Sequence, residues 1–353
     1  LADIVAGAQP DARVASADDR WPVLSSLRFL LALCVVITHA GILDPSASLF
    51  KALGQTGFPA VFCFFMISGY SIAASITKNS EGYIARRIRR IYPVLSFSLL
   101  FCVAITLFGS IALPSGQLLP APSLALVAGN FLMLQSIFCP SIPQDGALWS
   151  LSIEWWLYML APLLIRIDNR FTVLLGIISF SAMCLIFKEN VLPDPGVHRI
   201  YLYLLAWPWL FGFAYFRNPA SILNAILLFI PPLIFFEMFI HLHLASILLV
   251  VTAMSLHFAP RFRIGGETVK RVMNWSGDAS FPLYLMHGPL LFALTSFTPI
   301  RNGNVLVGVV LLLVCVGYWC SRRGWSLIAA SSSVPTASFW RRYRPARATV
   351  VAP

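Results

Sequence analysis

The chain is 353 residues long, 58% hydrophobic and only 11% charged, with a mean hydropathy of +0.80. Soluble domains carry about 45–50% apolar and about 25% charged residues, so a water-soluble globule is excluded and lipid is the expected solvent. The basic excess, 25 Lys and Arg against 14 Asp and Glu, is scattered between apolar runs, which reads as membrane topology and not as nucleic-acid binding.

In chain order, residues 1–22 are polar, contain Asp3, Asp11, Asp18 and Asp19, and are expected to form a cytoplasmic segment with no cleavable signal. Apolar runs then predict transmembrane helices near 24–43, 58–77, 91–113, 148–165, 171–187, 200–216, 221–239, 243–258, 279–297 and 304–321. A further run, 122–139, lies among Pro114, Pro120, Pro122, Pro140 and Pro143. If it stays on the outer side, nearly all basic residues face the cytoplasm and only Lys51, Lys188, Arg199 and Arg301 face out. If it crosses, most basic residues move outside, so the positive-inside bias selects the first arrangement. The prediction is an all-α integral membrane protein with about ten transmembrane helices, one re-entrant or interfacial segment, and both termini cytoplasmic. Irregular backbone at membrane depth must be satisfied by protein or water, so this segment predicts a cavity on the outer side. The transmembrane domain is expected over 23–322. A basic cytoplasmic tail over 323–353 follows, with Arg341, Arg342, Arg344 and Arg347 facing lipid headgroups.

The cysteines, Cys34, Cys63, Cys102, Cys139, Cys184, Cys315 and Cys320, show no CxxC spacing, which argues against disulfide, zinc or iron–sulfur frameworks. His241 and His243, with no carboxylate or third ligand expected nearby, read as solvated histidines and not as a metal site.

A charge at the bilayer centre costs at least ~2.5–3.5 kcal/mol, so each ionisable residue inside a span needs a reason. His39, Glu154 and His287 are such residues, with Arg28 near the inner end of the first helix. At ~1.5 Å per residue, His39 lies about 16 Å outward from Arg28, and the depths of Glu154 and His287 bring all three to a common level. Each also has a plain reading, a histidine or neutral carboxyl that hydrogen-bonds a neighbouring helix. Residues 78–90, KNSEGYIARRIRR, concentrate Arg86, Arg87, Arg89 and Arg90, with 86/89 and 87/90 sharing faces at i, i+3. Such residues anchor topology, and arginine forks also bind phosphate bidentately, so a phosphorylated ligand is expected at this loop. Arg261, Arg263, Lys270 and Arg271 offer a second basic wall.

Five stretches in order resemble the integral membrane acyltransferases of family 3, which O-acylate bacterial surface polysaccharides. They are LRFLLALCVVITHAG (27–41), VFCFFMISGYSI (61–72), IARRIRRIYP (84–93), WSLSIEWWLYMLAPLL (149–164) and SFPLYLMHGPL (280–290). The resemblance implies that His39 is the essential histidine, as base or transient acyl carrier. It places Glu154 and His287 in the catalytic group. Arg28, Arg86, Arg87, Arg89 and Arg90 would hold the phosphates of acyl-coenzyme A, with acetyl the expected acyl group and no metal. It implies a glycan or lipid-linked saccharide acceptor and a bacterial inner membrane. Trp155, Trp156, Phe281 and Pro282 depart from the family pattern, which bears on acceptor or acyl group more than on the reaction. The competing reading is a secondary transporter or flippase with a buried proton relay, which lacks the expected inverted repeats. A noncatalytic scaffold would leave the arginine cluster without a role beyond topology.

Overall fold

The computed structural model describes residues 19–113, 116, 118–186, 200–240 and 243–331. Asp3, Asp11, Asp18, Arg13, Lys188, Arg199, His241 and the tail arginines Arg341, Arg342, Arg344 and Arg347 lie outside the described residues, as do the side chains of Arg322 and Arg323.

The predicted apolar runs are helices. They are α1 (Arg20–Leu43), the short α2 (Ser48–Leu53), α3 (Gly57–Lys78) and α4 (Tyr83–Phe108), then α5 (Leu124–Phe131), α6 (Leu148–Leu164) and α7 (Asn169–Ile186). After them come α8 (Tyr201–Leu204), α9 (Trp207–Arg217), α10 (Ile222–Ile234), α11 (His243–Phe258), α12 (Glu267–Phe297) and α13 (Gly303–Ser331). The strands among the described residues are the two-residue pair Ile111–Ala112 and Leu118–Leu119, antiparallel. Large apolar side chains remain exposed along the helices, among them Leu100, Leu107 and Phe108 on α4, at 70%, 79% and 83%. So wide an apolar exterior is tolerated only where lipid covers it.

Among the described residues, six helices are long and apolar enough to cross a membrane. The other expected spans are built differently. α6 has 17 residues. The run at 200–216 is broken at Leu205–Ala206 and restarts with Pro208 in the first turn of α9, where a missing N–H costs nothing. α10 carries Pro231 and Pro232 and continues into a π-helical turn, Phe235–Ile240. α12 is 31 residues long because a charged start, Glu267 to Arg271, extends the apolar part.

The segment 122–139 does not cross. α5 has eight residues, about 12 Å, against an apolar core of about 30 Å. Its irregular backbone is satisfied by protein. Asn130 Nδ2 donates to the carbonyls of Leu126 and Pro140, and its Oδ1 accepts from Ile142 N–H. The Met133 carbonyl accepts from Ser152 Oγ at 2.7 Å and Trp156 Nε1 at 2.8 Å, and Gln135 Nε2 donates to the Leu148 carbonyl at 3.0 Å.

α3 is the centre of the bundle and packs against α1, α6, α9 and α11. It crosses α9 at backbone contact: a Cβ on Gly69 would strike the Trp209 carbonyl, and one on Gly212 the Met66 carbonyl. α1 lies along α12 and is tied at both ends by carboxylates. Asp19, before its first turn, accepts from Ile264 N–H at 2.9 Å and pairs with Lys270 Nζ at 2.6 Å. Asp44, after its last turn, accepts from Gly303 N–H at 2.8 Å and Ser46 Oγ at 2.6 Å. Those ties set the register of the helix that carries Arg28 and His39.

Candidate active site

The close run of α1 along α12 brings two of the three buried ionisable residues together. His287 Nε2 and His39 Nδ1 are 3.1 Å apart, with ring centroids 4.8 Å apart. His287 is fully buried and His39 half-buried. The carbonyls around them assign the protons, because a carbonyl only accepts. His287 Nδ1 meets the Tyr284 carbonyl at 2.5 Å, so Nδ1 carries a proton and, in the neutral ring, Nε2 is an acceptor. His39 Nδ1 meets the Val35 carbonyl at 2.9 Å, so it too is protonated and its N–H is shared between Val35 and His287 Nε2. The remaining lone pair of the pair is on His39 Nε2, which has no hydrogen-bond partner among the described residues. The arrangement is a half-buried imidazole with one basic nitrogen free and the other held from behind.

Glu154 is not bonded to this pair. Ser68 Oγ donates to its Oε1 at 2.5 Å, and Tyr158 OH donates to the same oxygen from one helical turn further along α6. Ser68 and Tyr158 are themselves 3.1 Å apart. The expectation of a level shared with the histidines assumed that α6 starts at the surface. Instead it starts beneath the packed outer segment, where Gln144, Asp145 and Leu148 are fully buried and Ala147 is 4% exposed. Glu154 therefore lies further toward the arginines.

The arginine cluster is helix and not loop: Gly82, at φ 61°, turns the chain and α4 begins at Tyr83. Its two i, i+3 faces separate. Arg87 and Arg90 line a cleft of about 350 Å³, together with Arg28 and Lys78. Arg28 donates to Ser71 Oγ at 2.5 Å. Arg87 donates to Ser75 Oγ at 3.3 Å and lies over the rings of Tyr83 and Tyr158, while its buried Nε–H has no partner. Arg86 turns away to the carbonyls of Glu81 and Asn79, and Arg89 is exposed. Of the five expected phosphate ligands, the cleft brings together three.

From this basic end the cleft passes Ser68, Glu154 and Tyr158 and ends at Ser150 and Tyr284. Along α3 its lining runs from Lys78 to Val61, seventeen residues or about 25 Å. His287 lies one turn beyond Tyr284 on α12, ring centroids 5.9 Å apart. Three further residues of this region were not singled out in the sequence. Tyr158 was readable as the i+4 neighbour of Glu154. Asp145, bonded to Ser98 Oγ at 2.8 Å with its Oδ1 unpartnered and packed against Gly288, lies in a proline-bounded polar stretch that resembles a solvated turn. Ser150 was hidden inside an apolar run. At the surface, His243 Nδ1 bonds Glu237 Oε2 at 2.9 Å, so a carboxylate does reach that histidine, from the π-helical turn. No group of three or more metal-ligating side chains occurs among the described residues.

The long apolar helices and the lipid-tolerant exterior define a multi-pass membrane protein, with a basic cleft between its helices. A family model described as an acyltransferase domain matches residues 22–322, and the chain belongs to that family, the membrane acyltransferases of family 3. It is an acyltransferase, which decides against the transporter reading. No curated protein and no solved structure matches the chain.

Proposed function

We propose that the protein moves an acetyl group from cytoplasmic acyl-coenzyme A to a hydroxyl of a surface or lipid-linked glycan, in a bacterial inner membrane with both termini cytoplasmic. The observation that carries this reading is the cleft, with Arg28, Arg87 and Arg90 at one end and the turn before His287 at the other. Arginine forks suit the phosphates of coenzyme A, and the length of the cleft suits an extended arm that ends in a thioester. The positive-inside bias puts the basic end in the cytoplasm, where the donor is made.

In this reading His39 Nε2 removes the proton of the acceptor hydroxyl while the oxygen attacks the thioester carbon. The carbonyl electron pair moves to oxygen, then returns as the C–S bond breaks, and the leaving thiolate takes the proton back from His39. Throughout, His287 Nε2 accepts from His39 Nδ1–H and favours the imidazolium. Glu154 keeps Ser68 and Tyr158 in place in the wall of the cleft, opposite the Arg87 charge.

The test is reconstitution in proteoliposomes with isotope-labelled acetyl-coenzyme A and a bacterial surface-glycan fraction. The expected result is labelled glycan heavier by one acetyl group, made by the wild type and not by His39→Ala. Transfer undiminished in His39→Ala would overturn the mechanism, and a wild type that labels no glycan would overturn the acceptor class.

A further inference from the structure

We propose that the phenol of Tyr284 donates the hydrogen bond that stabilises the oxyanion formed on the thioester carbonyl, and that Ser150 is the positioning residue that aims it. The proposal rests on the acyl-coenzyme A reading above and assigns the carbonyl end of the same site.

Both hydroxyls line the far end of the cleft, where a thioester carried up from the arginines must stop, one helical turn short of His287. Both are buried, Tyr284 at 9% and Ser150 at 4% exposure. Tyr284 OH and Ser150 Oγ are 2.6 Å apart, and each lies near the Ala147 carbonyl, at 3.3 Å and 3.2 Å. Two protons serve this triangle. With Ser150 donating to the phenol oxygen across the short contact, the phenol proton is left with the 3.3 Å contact to Ala147, near the long limit for a hydroxyl donor. That proton is available to an oxygen that arrives with negative charge, since a bond to an ionised acceptor is roughly twice as strong as a neutral one. The donor is fixed in advance by packing: the Tyr284 ring is held edge-on by Phe64 at 5.6 Å and tilted against His287 at 5.9 Å. A preset donor in a site shielded from water is the arrangement that lowers the barrier of acyl transfer without reorganisation.

The step balances without a further reactant. As the acceptor oxygen bonds to the thioester carbon, the carbonyl pair moves to oxygen and is hydrogen-bonded by the phenol O–H. The phenol keeps its proton, and the pair returns when the C–S bond breaks.

The experiment compares wild type, Tyr284→Phe and Ser150→Ala in lipid nanodiscs. Free coenzyme A release gives kcat and KM for acetyl-coenzyme A with a saturating glycan acceptor. The expected result for Tyr284→Phe is a kcat lower by about 10²–10³-fold, the usual cost of removing one oxyanion donor, with KM within about threefold. Ser150→Ala lowers kcat less and leaves KM in place. Site-specific 2,3-difluorotyrosine at 284, similar in shape but more acidic and so a stronger donor, raises kcat above wild type, whereas a purely structural tyrosine leaves it unchanged. Unchanged kcat in Tyr284→Phe, a loss expressed in KM alone, or a difluorotyrosine enzyme no faster than wild type overturns the assignment. A wild type that releases no coenzyme A overturns the acyl-coenzyme A reading itself, and the assignment with it.

Discussion

At the scale of single residues, the proposed mechanism separates holding from reacting. Arg87 and Arg90 share the face of α4 that lines the cleft, and Arg86 and Arg89 share the other. Arg87→Ala should therefore raise KM for the acyl donor by about 10-fold or more, in line with the ~1.5–3 kcal/mol of a hydrogen bond to a charged group. Arg89→Ala should leave it within about twofold; steady-state kinetics on both variants checks the pair. His287 is expected to act through His39. His287→Ala removes the acceptor behind Nδ1–H and should lower kcat by about 10–10² with little change in KM, less than the ~10²–10⁴ expected for the base itself. Some of this was readable beforehand. A histidine or glutamate in an apolar run stands out because it is costly there, and the i, i+3 spacing separated the arginine faces. Which face turns inward was not readable, because that depends on how α4 rotates against α6 and α12. Ser150 with Tyr284 was not readable either, since 134 residues separate the partners and a hydroxyl in an apolar run is unremarkable.

At the scale of elements, two devices set the geometry. The α3–α9 crossing depends on Gly69 and Gly212, each against the other helix's backbone. Gly69→Ala cannot be relieved by a side-chain rotation and should destabilise the protein by about 1–3 kcal/mol, read as a lower thermal midpoint in detergent. Because α3 also carries Ser68, that variant should lose activity along with stability. The second device is the packed segment before α6. Hydropathy marked 122–139 as apolar and charge counting argued against its crossing, and α5 is indeed too short to cross. Asn130, which satisfies backbone of this segment, and Gln135, which ties it to the Leu148 carbonyl of α6, have no sequence signature, so the depth of α6, and with it the position of Glu154, was not readable.

At the scale of the molecule, α1, which carries Arg28 and His39, is fixed by carboxylates at its two ends. Lys270, then Ile264 N–H, hold the Asp19 carboxyl below the usual carboxylate range, and hydrogen bonds from Ser46 and Gly303 do the same for Asp44. A depressed folded-state pKa gives stability that is present above the unfolded value, about 3.9, and is lost as pH falls through the folded value. Activity and hydrogen-exchange protection of residues 19–44 should therefore hold from neutral pH down to about 4 and fall together below it. Asp19→Asn should lose the protection of the first turn of α1 already at neutral pH.

In the proposed mechanism, donor binding at the arginine end and acyl transfer at the histidine end are separate functions of one path. This separation is tested most directly by measuring acetyl-coenzyme A affinity and single-turnover transfer on the same nanodisc samples of His39→Ala and Arg87→Ala. His39→Ala should bind the donor within about twofold of wild type yet transfer at least ~10²-fold more slowly. Arg87→Ala should bind at least ~10-fold more weakly and still transfer at saturation. Loss of donor binding in His39→Ala, or full transfer by it, would contradict the claim.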